Sequence, residues 1–282
     1  MGEGVRGLAM RSVRVAAGAK DRLRPPPPGT TVLIYHRVGG RTPVPVDLPA
    51  AQFSEQMAAI APLAATLDQA LTRLVNPSDP SNPSDDAARA ADHPVVVTFD
   101  DGTADVIEEA LPILVEHQVP MLLYVATKFV EEGLDFPDDG KVVSWAALAD
   151  GVSTGLLTIG SHTHSHALLD RLAPEAVDDE LDRSIGLIQE RLGVDPRHFA
   201  YPKALAGSPA ADRAVRARFA SAALAGTRIN RPGHTDPWAL ARTPIQVRDG
   251  EDDFARKAAG GLGLEDDLRR LVNRVRYRGA SS

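Results

Sequence analysis

The sequence contains no cysteine. Disulfides, thiolate metal sites and cysteine nucleophiles are therefore excluded together, and any transition metal must be held by His, Asp or Glu. Long apolar runs are absent too. Stretches such as Met121 to Ala126 fall far short of the roughly 20 residues that a membrane span needs. Positive charge is not in excess: 31 Lys and Arg against 38 Asp and Glu leave a net charge of -7, which gives no reason to expect nucleic acid as a partner. Histidine is scarce as well, eight in 282 residues, yet three of the eight fall at 162, 164 and 166. What remains is ordinary for a soluble globular chain, 43% hydrophobic and 24% charged, and long enough for one large domain or two small ones.

The N-terminal stretch is basic, with Arg11 and Arg14 interrupting anything that resembles a signal-peptide apolar run. It reads as a tail, with a helix on an anionic membrane surface as the alternative. Pro25 to Pro28 form a stiff spacer, so residues 1–29 are set apart from a domain over 30–250. Within that domain residues 76–94, NPSDPSNPSDDAARAADHP, cannot build a core and read as a solvated surface insert. Residues 251–282 read as a helical, basic C-terminal extension that packs against the domain, with peripheral membrane contact as the alternative. The expected location is cytoplasmic or peripheral to a membrane.

Between these segments, Thr31–Tyr35, Val95–Phe99, Met121–Ala126 and Leu156–Ile159 read as buried strands, with weaker candidates at Phe199–Tyr201, Ser221–Ala225 and Ile245–Val247. Helical spacing predicts helices over Gln52–Ile60, Leu67–Val75, Ala104–His117 and Pro174–Leu192, and a short one opening at Trp145. Buried strands alternating with helices predict a parallel α/β fold, open or closed into a barrel, with its chemistry past the C-terminal strand ends.

Two motifs occupy such ends. Asp100-Asp101-Gly102 follows VVVTF, and Gly160-Ser161-His162-Thr163-His164-Ser165-His166 follows LLTI. Alone, the first is equally a turn leading to a helix cap, and the second a solvated loop. A helical turn would put His162 and His166 on one face with His164 pointing away, whereas an extended loop would align all three. One Asp with two His suits Zn, or Co or Ni, with positions left open for water and substrate. Such an ion lowers the pKa of water from about 15.7 toward 7, which is chemistry for hydrolysis.

With TFDDG at 98–102, GSHTHSH at 160–166 and YHRV at 35–38, the chain resembles the polysaccharide deacetylases, the NodB-homology carbohydrate esterases, from about Thr31 to Val247. The resemblance implies a distorted, incomplete (β/α) barrel of parallel strands. It implies Asp100 as catalytic base, a divalent metal on Asp101, His162 and His166, and an N-acetylated glycan as substrate. At the third family motif FAYPKA (199–204) has Ala200 where an Arg that orients the base is usual, leaving that role without a candidate. Tyr201 and the Lys203 backbone N–H are the candidates for substrate and oxyanion contact. Pro196 to His198 and Tyr201 are candidates for a sugar groove, and strand packing explains Phe199 and Tyr201 equally well. The late family motif that carries the general acid is not evident, and His234 is the remaining downstream candidate. The expected activity is metal-dependent N-deacetylation, with a carbohydrate-binding pseudoenzyme or an O-acetyl esterase as alternatives.

Overall fold

Runs rich in β-branched and aromatic residues become parallel strands in the computed structural model, which describes residues 26–76 and 93–263. In chain order these are β1 (Thr31–Tyr35), β2 (Arg37–Val38), β3 (Asp47–Leu48), β4 (Val95–Phe99), β5 (Met121–Val125), β6 (Leu157–Ser161), β7 (His198–Ala200), β8 (Ser221–Ala225) and β9 (Leu240–Pro244). β2 and β3 pair only with each other, and the remaining seven close a barrel in the order β1-β4-β5-β6-β7-β8-β9. The seam closes where Val32, Leu33 and Ile34 lie against Arg242, Thr243 and Pro244. Neighbours β6 and β7 meet at a single pair, Ser161 with Phe199. The expected distorted barrel is therefore present, one strand short of the eight of a regular (β/α) barrel.

The helices are α1 (Ala50–Ile60), α2 (Leu67–Val75), α3 (Leu111–His117), α4 (Thr127–Glu132), α5 (Trp145–Ser153), α6 (Pro174–Leu192), α7 (Pro209–Arg218) and α8 (Glu251–Ala258). The longest, α6, starts on Pro174, whose missing N–H costs nothing there, and stops at Gly193 in the left-handed conformation, φ 66°. Strand alternation divides the core in two. Leu33, Tyr35, Val97, Phe99, Leu123 and Ile159 face outward under the helices. Val32, Val96, Leu122, Tyr124, Ala200, Ala223 and Leu240 face inward and meet Leu67, Ala70, Leu71 and Leu74 of α2.

Several expectations are corrected. The last strand is Leu240–Pro244, ahead of the expected Ile245–Val247. The helix expected over Ala104–His117 begins as a wide π-turn at Val106–Ala110, because Pro112 cannot donate to the carbonyl one turn back. Helix α8 is no appendage: Phe254 and Ala258 join the main core, and the Lys257 ammonium donates to Asp249 (2.7 Å) and to the Pro244 carbonyl (2.8 Å). The domain therefore runs past 250. The expectations for the N-terminal tail, for most of the 76–94 insert and for the basic stretch after 263 lie outside the described residues. Among the described residues no helix is long and apolar enough to cross a membrane.

Candidate functional site

Alternation along each strand decides what reaches the C-terminal mouth of the barrel. Val32, Ile34 and His36 point inward in succession from β1, as do Val96, Thr98 and Asp100 from β4, and Leu240 and Arg242 from β9. Together with β6 and the turn after β7 they surround an open cavity of about 290 Å³, lined by His36, Asp100, Asp101, His162, His166 and Lys203 among others.

Asp100 is the buried floor of this cavity. The Arg242 guanidinium grips it with two parallel hydrogen bonds, Nη1 to Oδ1 at 2.5 Å and Nη2 to Oδ2 at 2.8 Å. Arg242 is 0% exposed, and the small side chains of Ala200, Ala223 and Ala225 on the inner walls of β7 and β8 leave room for it. Two more of its donors reach Thr98 Oγ1 and the Leu224 carbonyl, and its central carbon lies 5.0 Å from the Tyr124 ring centre, so four of its five N–H groups and its face have partners. Burial pushes the Asp100 carboxyl up, but the Arg242 charge and hydrogen bonds outweigh it and hold the group below the usual carboxylate range.

The turn that follows throws Asp101 to the side, at φ 75°, a left-handed conformation that Asp tolerates better than most residues. Its Oδ1 lies 3.6 Å from His162 Nε2 and 3.4 Å from His166 Nε2. The three candidate donor atoms all fall within 4.8 Å of one another. Donors about 2.1 Å from a tetrahedral ion sit about 3.4 Å apart, so two of the three spacings already suit a shared divalent cation. The protonation states suit it too. Burial pushes the His162 imidazole down to about 4, so it is neutral at pH 7. Its Nδ1–H donates to the Ala200 carbonyl (2.7 Å), which fixes the tautomer and turns the Nε2 lone pair toward Asp101. Burial also raises the Asp101 carboxyl, but its hydrogen bond with His166 and the neighbouring imidazoles outweigh this and keep it ionised.

The histidine loop is neither the helical turn nor the extended strand considered above. Two left-handed residues, Thr163 (φ 65°) and His166 (φ 62°), coil it so that His162 and His166 face Asp101 together. His164 turns away and pairs its Nδ1 with Thr127 Oγ1 at 3.1 Å.

Two expected site residues are not at the site. Tyr201 is buried beside Phe199, ring edge to face at 5.0 Å, in the core under α6 and α7, and both its backbone groups are bonded. Alternation explains this, since Ala200 takes the inward place and Tyr201 the outward one. Pro196 to His198 lie toward the start of β7, away from the mouth, so they form no groove there. His234 is exposed at the opposite end of the barrel. The segment after β8 runs back down, pairing Asn230 with Thr30 ahead of β1 and donating from Gly233 N–H to the Leu74 carbonyl. Lys203 does line the cavity. The turn's two hydrogen bonds, from Ala204 to Tyr201 and from Leu205 to Pro202, leave its N–H out.

Two further residues at the mouth carried a readable signal. His36 lies two residues beyond the inward Ile34, and its buried Nδ1 has no partner. Arg242 lies two beyond the inward Leu240, a lone charge in an apolar run.

At its C-terminal mouth the parallel barrel thus brings a His–Asp cluster with the spacing of a metal site beside a clamped carboxylate. Residues 87–221 match the family model described as polysaccharide deacetylase. Among solved structures, that of IcaB from Ammonifex degensii is 25% identical, with a TM-score of 0.68 over 83% of this chain and 97% of that one. The Streptococcus pyogenes deacetylase PplD in complex with acetate shares the fold at 17% identity, with a TM-score of 0.69 over 82% of this chain and 99% of that one. A stretch of 96 residues is 26% identical to the uncharacterized protein YlxY of Bacillus subtilis, covering 34% of this chain and 26% of that protein.

Proposed function

We propose that the protein is a metal-dependent hydrolase that removes N-acetyl groups from a glycan or sugar conjugate and releases acetate. The observation that carries this reading is the convergence of Asp101, His162 and His166 beside an Asp100 carboxylate held ionised by Arg242, all at one open cavity. Asp101, His162 and His166 would hold a divalent ion, Zn or else Co or Ni, which would supply Lewis acidity toward the acetyl carbonyl and the attacking water. Asp100 accepts the proton of the attacking water as general base. The Lys203 N–H donates to the carbonyl oxygen as negative charge gathers there. His36 replaces His234 as the acid that protonates the departing sugar nitrogen. Its place at the mouth supports that role.

Acetate release from N-acetylglucosamine oligomers and O-acetylated glycans, measured with and without Zn or Co, tests the activity. The expected result is release from the N-acetyl substrates that depends on about one ion per chain. His162→Ala and His166→Ala should lose both ion and activity, and His164→Ala should keep the ion. No release from any acetylated glycan at full metal occupancy would replace this reading with a binding module.

The acid has its own test. His36→Asn should lower turnover on N-acetyl substrates about a hundredfold or more while metal content stays at wild type. An aryl acetate, whose phenolate leaves without a proton, should be hydrolysed by the variant nearly as fast as by wild type. Equal losses on both substrates would remove His36 from the acid role.

A further inference from the structure

Helix α6 presents two polar side chains one turn apart, Glu180 and Ser184, on a face otherwise made of Val177, Leu181 and Ile188. Both reach the histidine loop. Ser184 Oγ lies 2.8 Å from Ser161 Oγ, and that same Ser161 oxygen accepts the Thr163 N–H at 3.3 Å. His162 is thus bracketed from below. Four residues along the loop, Glu180 takes both donors of Ser165: the backbone N–H to Oε2 at 2.8 Å and the hydroxyl to Oε1 at 2.6 Å. The next residue is His166, in a left-handed conformation that a non-glycine residue keeps only when its neighbours hold it. On its other side the Ala167 N–H donates to Thr163 Oγ1 at 3.1 Å.

We infer that Glu180 is a positioning residue for the metal: by clamping Ser165 through both its donors, it fixes the backbone turn that aims His166 Nε2 at Asp101. This rests on the reading of Asp101, His162 and His166 as ligands. Glu180 touches none of these side chains, so its effect passes through loop geometry alone. His162 sits on the end of a barrel strand and its ring is pinned by the Ala200 carbonyl, whereas His166 lies on the far limb of the loop, and Glu180 is the charged group that ties that limb to the helix layer.

The test is metal affinity, measured by chelator competition with Zn and Co on the full chain. Partners that hold a ligand in place typically contribute 10- to 100-fold to affinity, and Glu180→Ala should weaken binding by that order. Its melting temperature without metal should stay near wild type. Glu180→Gln, which retains one acceptor oxygen, should fall between the two and serves if the alanine variant folds poorly. Adding Ser165→Ala to Glu180→Ala should cost nothing further, because both act on one contact. The Co-loaded variant should also show altered visible absorption, reporting a changed ligand arrangement. Wild-type affinity in both Glu180 variants, or losses that simply add in the double variant, would overturn the positioning role and leave the metal site standing. A wild-type chain that binds neither Zn nor Co would sink the metal site and this role with it.

Discussion

Asp100→Asn is expected to fold, to keep its metal, and to lose roughly a hundred- to ten-thousand-fold in turnover, the usual share of general-base catalysis. Asparagine has nearly the shape of aspartate and still offers Arg242 one acceptor oxygen, so the floor of the cavity stays in place. What it lacks is a lone pair basic enough to take a proton from water at neutral pH. The neighbouring Asp101→Asn should behave differently. Its defect is weakened metal binding, so part of its activity should return in excess Zn or Co, whereas no concentration of metal should rescue Asp100→Asn. Acetate release and bound metal measured side by side on the two variants separate the roles. Near-wild-type turnover in Asp100→Asn would remove Asp100 from the base role. A metal-rescued Asp100→Asn would make it a ligand instead.

The parts of the site that were legible in the sequence are those where one short segment carries its own geometry. A buried run followed by Asp-Asp-Gly, and another followed by three alternating histidines, each announce a strand end with reactive side chains, and the barrel brings the two ends together. Helix α6 was legible to the residue, since Pro174 and Gly193 mark its ends by backbone chemistry alone. The rest depends on partners distant in sequence. Nothing near Asp100 says that its counter-charge arrives 142 residues later from the strand that closes the barrel. With a strand at Ile245–Val247, Arg242 falls in a loop, where a lone charge in an apolar run signals burial with a partner but gives no direction. Tyr201 and His234 failed for related reasons. For Tyr201, a shift of one residue in a strand exchanges inward for outward. For His234, proximity to the site was read from sequence order, while the chain there returns to the other end of the barrel.

Arg242→Met should be the most damaging single change to both stability and pH dependence. Methionine fills similar volume but leaves the Asp100 carboxylate buried without its partner, and removing one member of a buried pair costs about 3–5 kcal/mol. For a domain of this size, that is a fall in melting temperature of about 6–20 °C. The sign of the pH dependence follows from the two forces on Asp100. In wild type the Arg242 charge outweighs burial, so the folded-state pKa lies below the ordinary 3.8. That stabilisation is complete above the unfolded value and is lost as pH falls through the folded one. Without Arg242, burial prevails and the folded pKa rises above 3.8. The ionised carboxylate then opposes folding at neutral pH, and the deficit against wild type should shrink as pH is lowered toward 4. Activity should move the other way, because the base works only when deprotonated. The acid limb of kcat/KM should therefore shift to higher pH in the variant. Adding Asp100→Asn to Arg242→Met removes the stranded charge and should recover much of the lost melting temperature without recovering activity. That combination distinguishes a charge left unpaired from a barrel that merely packs badly around methionine. If the double variant is no more stable than Arg242→Met, and the acid limb of Arg242→Met stays where wild type has it, Arg242 is a packing residue and something else keeps Asp100 ionised.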